Sequence, residues 1–468
     1  MKRCIWFICL LVYSFTGFSQ TVQERLAKAM ERLQADSQMK HAIVGFSVVK
    51  SETGEKIYEV NAQTGLAPAS CQKLFTSAAA FEILGPAYRY KTILGIDGNI
   101  VNGKLNGNIV LIGSGDPSLG SWRFDSAKEE NVLGFWQKAL QQQGIKSMEG
   151  NLLGSTGRLE PETLPGGWIW DDIGNYYGAG SAALNWRENQ YDLILQSGSV
   201  LNQPVNILDM KPWPVGVTLE SRLKSAAKGT GDNAYIYLPP NSNHGFVNGT
   251  IPVDEKAFTI SGSFPDPPLQ LLTTLKERMM AMGLQPVNVI FSTENLSQFL
   301  HKAQFLQPIA TYYSPSFDSL NYWFLKKSIN LYGEAFIKTI AAEKTGSGST
   351  EKGVEQVKAF WKERGVEPSA MHIIDGSGLS PQNRVTTDAL VKVLQFARSR
   401  PWFHNFYDAL PVFNQMKLKS GTIGGTKSFA GYHTSKDGTT YTVAIIVNNF
   451  DGSAGEIVRK MYKVLDEL

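Results

Sequence analysis

The chain of 468 residues is poor in cysteine, in charge of one sign and in long apolar runs. It has three cysteines, and two of them, Cys4 and Cys9, lie in an apolar N-terminal segment. If that segment is removed, Cys71 is left alone and the mature chain forms no internal disulfide. The 45 basic and 42 acidic residues are well mixed and leave a net charge of +3. This balance argues against a nucleic-acid partner.

Metal-ligand spacing is also missing. The six histidines are scattered without the short intervals that metal sites use, at His41, His244, His301, His372, His404 and His433. We therefore expect no metal and no cofactor. Beyond the N-terminus, no apolar stretch reaches the roughly 20 residues that a membrane-spanning helix needs, so we expect no transmembrane segment in the mature chain.

The first 19 residues have the features of a secretory signal peptide. Met1-Lys2-Arg3 is basic, residues 5–15 are apolar, and Gly17 and Ser19 are small residues placed as a cleavage site requires. The apolar run is too short to cross a bilayer. We expect residues 1–19 to be removed and the chain to be exported. The alternative is an uncleaved N-terminal anchor.

The pattern of apolar residues predicts an α/β (α+β) protein. Its two ends contain both helices and strands, whereas its middle contains mainly short strands. The ends carry helices and strands that could build one sheet from both termini, at 21–38, 43–60, 71–84, 319–342, 416–419, 428–433, 440–447 and 455–468. We predict one domain from residues 20–88 and 296–468. Residues 89–295 show short alternating strands between Gly, Asn and Pro turns, and we predict an inserted region, mostly β, of one or two domains.

Three short motifs supply side chains suited to acyl transfer without a catalytic histidine. Ser70-Cys71-Gln72-Lys73 offers a nucleophile and a lysine one helical turn away. Ser328-Ile329-Asn330 offers a polar pair, and Lys419-Ser420-Gly421-Thr422 offers a cationic strand for a carboxylate. Their order follows the S-x-x-K, S-x-N and K-T-G set of serine acyl-transferring enzymes.

The context of Ser70 separates it from other Ser-x-x-Lys patterns, which occur at 37–40, 47–50, 221–224, 225–228 and 349–352. Ser70 leads into an apolar helix, so Lys73 shares a helix face with it in an apolar setting. Burial and nearby positive charge lower the pKa of a lysine toward that of a base. A helix N-terminus also favours developing negative charge. We therefore predict Ser70 as the nucleophile and Lys73 as its base.

The third motif has a competitor in Lys344-Thr345-Gly346. That segment follows a helix and runs into a Gly/Ser-rich loop, with no strand to hold it. Lys419 instead ends an alternating segment that turns into a second strand. We choose Lys419, with the Ser420 and Thr422 hydroxyls as further donors to a carboxylate.

Two other choices stay open at the level of spacing. Ser319-Leu320-Asn321 matches Ser-x-Asn as well as Ser328-Ile329-Asn330 does, and either could only cap or decorate a helix. Cys71 lies beside the proposed nucleophile, which raises the alternative of a cysteine enzyme. No histidine lies in a recognisable partner motif, so we interpret Cys71 as a small residue packed on the helix.

Further segments carry a resemblance to a known family: Gly113-Ser114-Gly115-Asp116-Pro117-Ser118-Leu119, Ala183-Leu184-Asn185, Ser314-Pro315, Asp375-Gly376-Ser377-Gly378-Leu379-Ser380, Asn383-Arg384-Val385 and Ala430-Gly431-Tyr432. From about residue 40 onward the chain resembles the class C low-molecular-mass penicillin-binding proteins, D-alanyl-D-alanine carboxypeptidase/endopeptidases with a large insertion after the nucleophile helix. Counting forward from Ser314 places the family's Ser-x-Asn motif on Ser328-Ile329-Asn330. Ile329 and Ser420 replace the family's usual aspartate and threonine.

The resemblance implies a penicillin-binding-protein/β-lactamase-like transpeptidase domain and an acyl-enzyme mechanism. It implies that Ser70 attacks the carbonyl of a D-Ala-D-Ala bond while Lys73 takes its proton. Ser328 would relay a proton to the leaving amine, and Asn330 would hydrogen-bond the substrate and the lysine. The terminal carboxylate would be bound by Lys419-Ser420-Gly421-Thr422. The Thr422 N–H would join the Ser70 N–H to form an oxyanion hole.

An acidic residue of the insertion is a further candidate for substrate binding. Gly167-Trp168-Ile169-Trp170-Asp171-Asp172-Ile173-Gly174 resembles the family segment that meets the amino group of the peptidoglycan cross-linking residue. Asp172 is the candidate, and the alternative is a turn or N-cap aspartate. Asp116 and Asp375 lie in Gly-rich turns, where we expect structural roles.

The implied partners are peptidoglycan stem peptides, cut at D-Ala-D-Ala termini or D-alanyl cross-links, in the periplasm. β-Lactams would acylate Ser70 as covalent inhibitors. A serine β-lactamase would share the motifs, but it needs a deacylating base that no segment recognisably supplies. A non-catalytic peptidoglycan-binding module on the same fold is a second alternative, against which the intact motifs argue.

Overall fold

A computed structural model of the protein describes residues 20–292 and 306–468. The predicted signal peptide, residues 1–19, lies outside the described residues, and so does the predicted domain boundary at 295/296. In the two described ranges, no helix combines the length and the apolar character needed to cross a membrane.

The helices of the described chain are α1 (Val22–Gln34), α2 (Lys73–Ile83), α3 (Glu129–Gln142), α4 (Trp170–Ile173), α5 (Pro267–Met280), α6 (Phe317–Lys326), α7 (Asn330–Thr345), α8 (Thr350–Lys362), α9 (Thr387–Arg398), α10 (Phe403–Ala409) and α11 (Ala454–Leu465). The strands are β1 (Ile43–Lys50), β2 (Lys56–Val60), β3 (Lys91–Val101), β4 (Lys104–Ile112), β5 (Ser147–Glu149), β6 (Leu152–Ser155), β7 (Gln190–Gln196), β8 (Asn206–Lys211), β9 (Thr218–Ser221), β10 (Lys224–Ala226), β11 (Asn233–Tyr237), β12 (His244–Pro252), β13 (Phe258–Ser263), β14 (Val289–Ser292), β15 (Gln307–Tyr313), β16 (Met371–His372), β17 (Arg384–Val385), β18 (Val412–Phe413), β19 (Met416–Ile423), β20 (Thr426–Thr434) and β21 (Thr440–Asn448). The predicted α/β class is confirmed.

The main sheet joins the two ends of the chain. Its order is β18-β19-β20-β21-β1-β2, and every pairing is antiparallel. β1 lies beside β21, with Phe46 opposite Ile445. One face packs on α1 and α11 through residues such as Met30 and Ile457, and the other face packs on the helices around α2. Because both faces are covered, β1 and β21 are apolar along most of their length.

The inserted region has a sheet of its own, in the order β14-β6-β4-β3-β15, with β5 also on β4. Trp136 on α3 and Leu271 on α5 are part of its buried core. β15 pairs with β3, with Thr311 opposite Ile93. Residues 307–313 therefore belong to this sheet although they follow the predicted boundary at 295/296. The domain bounds stay a prediction, and we propose that the end of the inserted region lies beyond Tyr313 and not at 295/296.

A second apolar core lies within the insertion. Strands β13-β7-β8 form one small sheet, and β10-β12-β11 with β9 form another. Leu193, Ile236 and Val247 are fully buried in the cluster that these strands share. The inserted region thus contains two separate apolar clusters, and the division into one or two domains stays a prediction.

The helix predicted over 319–342 is broken in the structure. α6 ends at Lys326 and α7 begins at Asn330, and Ser328 between them has a left-handed backbone with φ +59°. A non-glycine residue in this region cannot continue a right-handed helix. The apolar spacing continues on both sides of the break, which is why the sequence pattern did not reveal it. The break brings Asn330 to a helix start.

Candidate active site

Ser70 lies in a tight turn at the floor of a cleft. The 3₁₀ turn Ala69–Gln72 precedes α2, and Ala69 has a positive φ of +46°. The cleft has a volume of ≈ 1150 Å³ and lies between the sheet built from both termini and the insertion. Its walls include Ser328, Asn330, Ser420 and Thr422 from the first part, and Asp172 and Tyr177 from the second. The sequence motifs are thus brought together around one opening.

Lys73 is fully buried beside the Ser70 hydroxyl. Its Nζ lies 3.0 Å from Ser70 Oγ, 2.6 Å from Asn330 Oδ1 and 2.7 Å from the Ser377 carbonyl oxygen. A neutral amine that donates to Asn330 and Ser377 keeps its lone pair for the Ser70 hydroxyl proton. Burial, followed by the positive charge of Lys419, holds the pKa of Lys73 well below its usual range. The neutral form of a lysine, which burial favours, can accept the proton of a serine hydroxyl.

Asn330 is held in one orientation by the insertion. Its Nδ2 donates to the Tyr177 carbonyl at 2.7 Å, which leaves Oδ1 directed at Lys73. Ser328, two residues earlier, lines the same cleft. The competing motif lies elsewhere, because Asn321 is buried on α6 and accepts a hydrogen bond from Ser77 Oγ at 2.6 Å. The structure therefore brings Ser328-Ile329-Asn330, and not Ser319-Leu320-Asn321, to Lys73.

β19 runs alongside the nucleophile turn. Lys419 is buried, its Nζ donates to the Ser420 carbonyl at 2.7 Å, and burial lowers its pKa to about 8. At Gly421, a Cβ would lie 2.5 Å from the Pro68 carbonyl oxygen and 2.9 Å from the Ser70 nitrogen. Only glycine allows this close approach. Lys419 itself lies behind the cleft wall that Ser420 and Thr422 line. The competitor Lys344 lies in the last turn of α7 and lines a different pocket, beside Phe360.

Cys71 is enclosed by protein on all sides. Its Sγ donates to the Lys419 carbonyl at 3.1 Å and accepts from Ser428 Oγ at 3.1 Å. Burial raises the pKa of the thiol to about 11. Because the thiolate is the reactive form, a buried thiol of this kind is inert. The geometry therefore favours the structural interpretation of Cys71 over a cysteine enzyme.

The loop 375–380 supplies a contact that sequence reasoning missed. The Asp375 carboxylate accepts hydrogen bonds from Gly378 N, Ser380 N, Asn383 Nδ2 and the Trp168 indole. Glu334 accepts from Gly376 N at 3.0 Å, and burial raises its pKa. This bonding fixes the Ser377 carbonyl against Lys73. A backbone carbonyl such as that of Ser377 can belong to any residue type, so the sequence does not predict it as an acceptor. The segment 375–380 that carries it is nevertheless one of those that resemble the family.

Asp172 lies on the insertion wall of the cleft. Partial burial and the neighbouring Asp171 raise the pKa of its carboxyl to about 6. It is the third residue of α4, whose N-cap is Ile169, so it is not an N-cap aspartate. Within the described ranges, no group of three or more His, Cys, Asp and Glu side chains is arranged to hold a metal ion.

The model of the D-Ala-D-Ala carboxypeptidase 3 (S13) family matches residues 26–467. The chain belongs to this family. It is a serine-type D-Ala-D-Ala carboxypeptidase, and the resemblance predicted from the motifs is confirmed.

Individual relatives agree with this assignment. The chain is 25% identical to a D-alanyl-D-alanine carboxypeptidase of Actinomadura sp. (strain R39), over 96% of this chain and 86% of that protein. It is 23% identical to a D-alanyl-D-alanine carboxypeptidase of Haemophilus influenzae, over 89% of this chain and 87% of that protein. The crystal structure of H. influenzae penicillin-binding protein 4 matches with a TM-score of 0.79 at 20% identity, over 94% of this chain and 98% of that one. The predicted fold is confirmed.

Proposed function

We propose that the enzyme cleaves D-Ala-D-Ala termini of peptidoglycan stem peptides through an acyl-enzyme on Ser70. The observation that carries this proposal is the position of Lys73 Nζ, 3.0 Å from Ser70 Oγ and 2.6 Å from Asn330 Oδ1. Burial of the amine favours its neutral form, which is the form a general base needs.

In the first step Ser70 Oγ attacks the carbonyl carbon of the penultimate D-Ala, and its proton passes to Lys73 Nζ. The Ser70 and Thr422 N–H groups stabilise the negative charge on the carbonyl oxygen. The C–N bond then breaks as a proton reaches the leaving amine through Ser328. Water hydrolyses the resulting ester and restores the serine. This sequence needs no group beyond the chain and water.

The terminal carboxylate is bound at β19. Lys419 supplies positive charge, and Ser420 and Thr422 supply hydroxyl donors on the cleft wall. Gly421 allows this strand to lie against the nucleophile turn, which keeps the carboxylate a fixed distance from Ser70. Asp172, on the opposite wall, is proposed to meet an amino group of the stem peptide.

β-Lactams are proposed to acylate the same serine, because they imitate the dipeptide and keep their leaving group tethered. A structure of H. influenzae penicillin-binding protein 4 holds a β-lactam and matches this chain with a TM-score of 0.72 at 20% identity, over 95% of this chain and 97% of that one. We also propose that residues 1–19 are a signal peptide and that the enzyme works in the periplasm.

Fluorescent-penicillin labelling of the purified mature chain tests the proposal. We expect wild type to form a stable covalent adduct and Ser70→Ala to form none. Ser37→Ala is the matched control, because Ser37 is exposed and begins another Ser-x-x-Lys pattern. Label on wild type and Ser37→Ala alone supports an acyl-enzyme on Ser70.

Two other results would point elsewhere. A label that is lost within minutes, with release of hydrolysed penicillin, would indicate a β-lactamase. Folded wild type that takes no label and leaves muropeptides uncut would favour a binding module.

A further inference from the structure

Arg123 lies on the cleft wall, and the mechanism above gives it no role. It belongs to the segment between β4 and α3 and is 18% exposed at its side chain. Its Nε donates to both carboxylate oxygens of Glu188, at 2.8 and 3.1 Å. The guanidinium packs against two indole rings. Its Cζ lies 5.4 Å from the ring centroid of Trp122 and 5.2 Å from that of Trp323. The hydrogen bonds to Glu188 come from Nε, and neither terminal amino group makes one to this carboxylate.

Glu188 is built to hold this arginine. It is 1% exposed, and it also accepts hydrogen bonds from Ser121 Oγ at 2.7 Å and Tyr332 OH at 2.9 Å. The backbone that carries it is strained, because the residues 187–189 have positive φ values of 54°, 54° and 55°. Three consecutive non-glycine residues in this region cost free energy that the surrounding contacts must offset. Such strain is characteristic of residues that are positioned for function.

The ion pair lies against the corner that carries Ser328. Trp323 is in α6 and Tyr332 is in α7, so the contacts of Arg123 and Glu188 bracket the break between these helices. Lys327, which is exposed and adjacent to Ser328, lines the same cleft. Ser328 is the proposed proton donor to the leaving amine. Arg123 and Lys327 therefore place positive charge beside Ser328, in the part of the cleft where the leaving amine would lie.

We propose that Arg123, assisted by Lys327, is a specificity-determining residue that binds a second carboxylate on the leaving group. The inference rests on the proposed function. A single D-Ala leaving group has one carboxylate, which β19 binds. A second cationic subsite is satisfied only by a longer anionic leaving group, such as a second stem peptide joined through a cross-link. A guanidinium held by stacking and by a buried carboxylate binds such a group with little further loss of conformational freedom.

The test compares two synthetic substrates that differ in one group. Both carry the same donor peptide, and the leaving peptide has its second carboxylate either free or amidated. For wild type we expect kcat/KM to be about ten-fold or more higher for the free acid, the effect of a charge-assisted hydrogen bond. In Arg123→Gln this ratio should fall to near one. Lys327→Gln, at an exposed position, should lower the ratio by a smaller factor.

Removing Arg123 leaves a buried carboxylate unpaired, so the double variant Arg123→Gln/Glu188→Gln is measured beside it. Arg158→Gln is the matched control, because Arg158 forms an ion pair with Glu343 at 2.6 Å and is not among the cleft-lining residues. Its acid-to-amide ratio should equal that of wild type. A purely structural role of Arg123 would lower both rates and leave the ratio unchanged.

Two results would overturn the inference: a wild-type ratio near one, or a ratio that survives Arg123→Gln. Fluorescent-penicillin labelling of Ser70 is followed in every variant. Loss of label in wild type would count against the proposed function, whereas the acid-to-amide ratio tests the Arg123 subsite alone.

Discussion

At the scale of single residues, the proposed mechanism assigns different roles to two buried lysines, Lys73 and Lys419. Burial lowers the pKa of both, and the charge of Lys419 lowers that of Lys73 further. The negative charges of Asp375 and Glu334 act in the opposite direction on Lys73. Lys419, whose pKa is lowered to about 8, keeps its proton at neutral pH and can attract a carboxylate. These directions agree with the proposed roles of Lys73 as the base and Lys419 as the cation.

This division predicts an alkaline limb in the pH profile of kcat/KM. Lys419 is charged below pH about 8 and loses its proton above it, so binding of a terminal carboxylate should weaken there. Lys419→Arg keeps its charge in this range and should move the limb to higher pH. The measurement is kcat/KM from pH 6 to 10 with a peptide whose own groups do not titrate there. An identical limb in folded Lys419→Arg would assign it to another group.

At the scale of secondary-structure elements, the site depends on how closely β19 approaches the turn before α2. Gly421 sets this distance, because a Cβ there would lie 2.3 Å from Ser428 Oγ as well as against Pro68 and Ser70. The proposed nucleophile, oxyanion hole and carboxylate site are all on these two elements. Their separation therefore controls three parts of the mechanism at once.

Gly421→Ala should push β19 away from the nucleophile turn. We expect acylation by penicillin to slow by about 100-fold, since a shift of roughly 1 Å can cost that much. Overpacking should also lower the free energy of unfolding by about 1–3 kcal/mol. Gly134→Ala on α3 is the control, because an added Cβ there meets no described atom within 4 Å. Equal acylation rates for both variants would contradict the argument.

At the scale of the whole molecule, the insertion is part of the active site. Its Tyr177 carbonyl orients Asn330, and its Trp168 indole donates to Asp375 at 2.9 Å. Asp375 in turn fixes the loop whose Ser377 carbonyl accepts from Lys73. The base is therefore held from both parts of the chain. Movement of the insertion would disturb the orientation of Asn330 and Lys73.

Trp168→Phe tests this coupling. It removes one of the four donors to the buried Asp375 carboxylate, and we expect acylation to slow by about ten-fold, which corresponds to the loss of one hydrogen bond to a charged group. Trp136→Phe removes the same atoms from the core of the insertion, where the Trp136 Nε1 has no hydrogen-bond partner among the described residues. Acylation rates and melting temperatures are measured for both. Rates that follow the melting temperatures alone would argue against coupling to the base.

The sequence predicted correctly those features that depend on residues close together in the chain. Ser70 and Lys73 are three residues apart and lead an apolar helix, so their shared face follows from helix geometry. Alternating strands at both ends predicted a shared sheet, and β1 does pair with β21. The break at Ser328 and the pairing of β15 with β3 escaped this reasoning. The first leaves helical periodicity intact, and the second joins segments about 200 residues apart.

By itself, then, the sequence determined the fold class, the family and the order of its motifs, because these depend on residue type and short spacing. Tertiary structure alone decided which Ser-x-Asn motif meets Lys73, how far burial lowers the lysine pKa values, and that the Ser377 and Tyr177 carbonyls complete the site. Those properties depend on which distant segments pack together and exclude water. An apolar segment predicted that Lys73 is buried, but the contacts of backbone carbonyls and the extent of burial are found only in the packed chain.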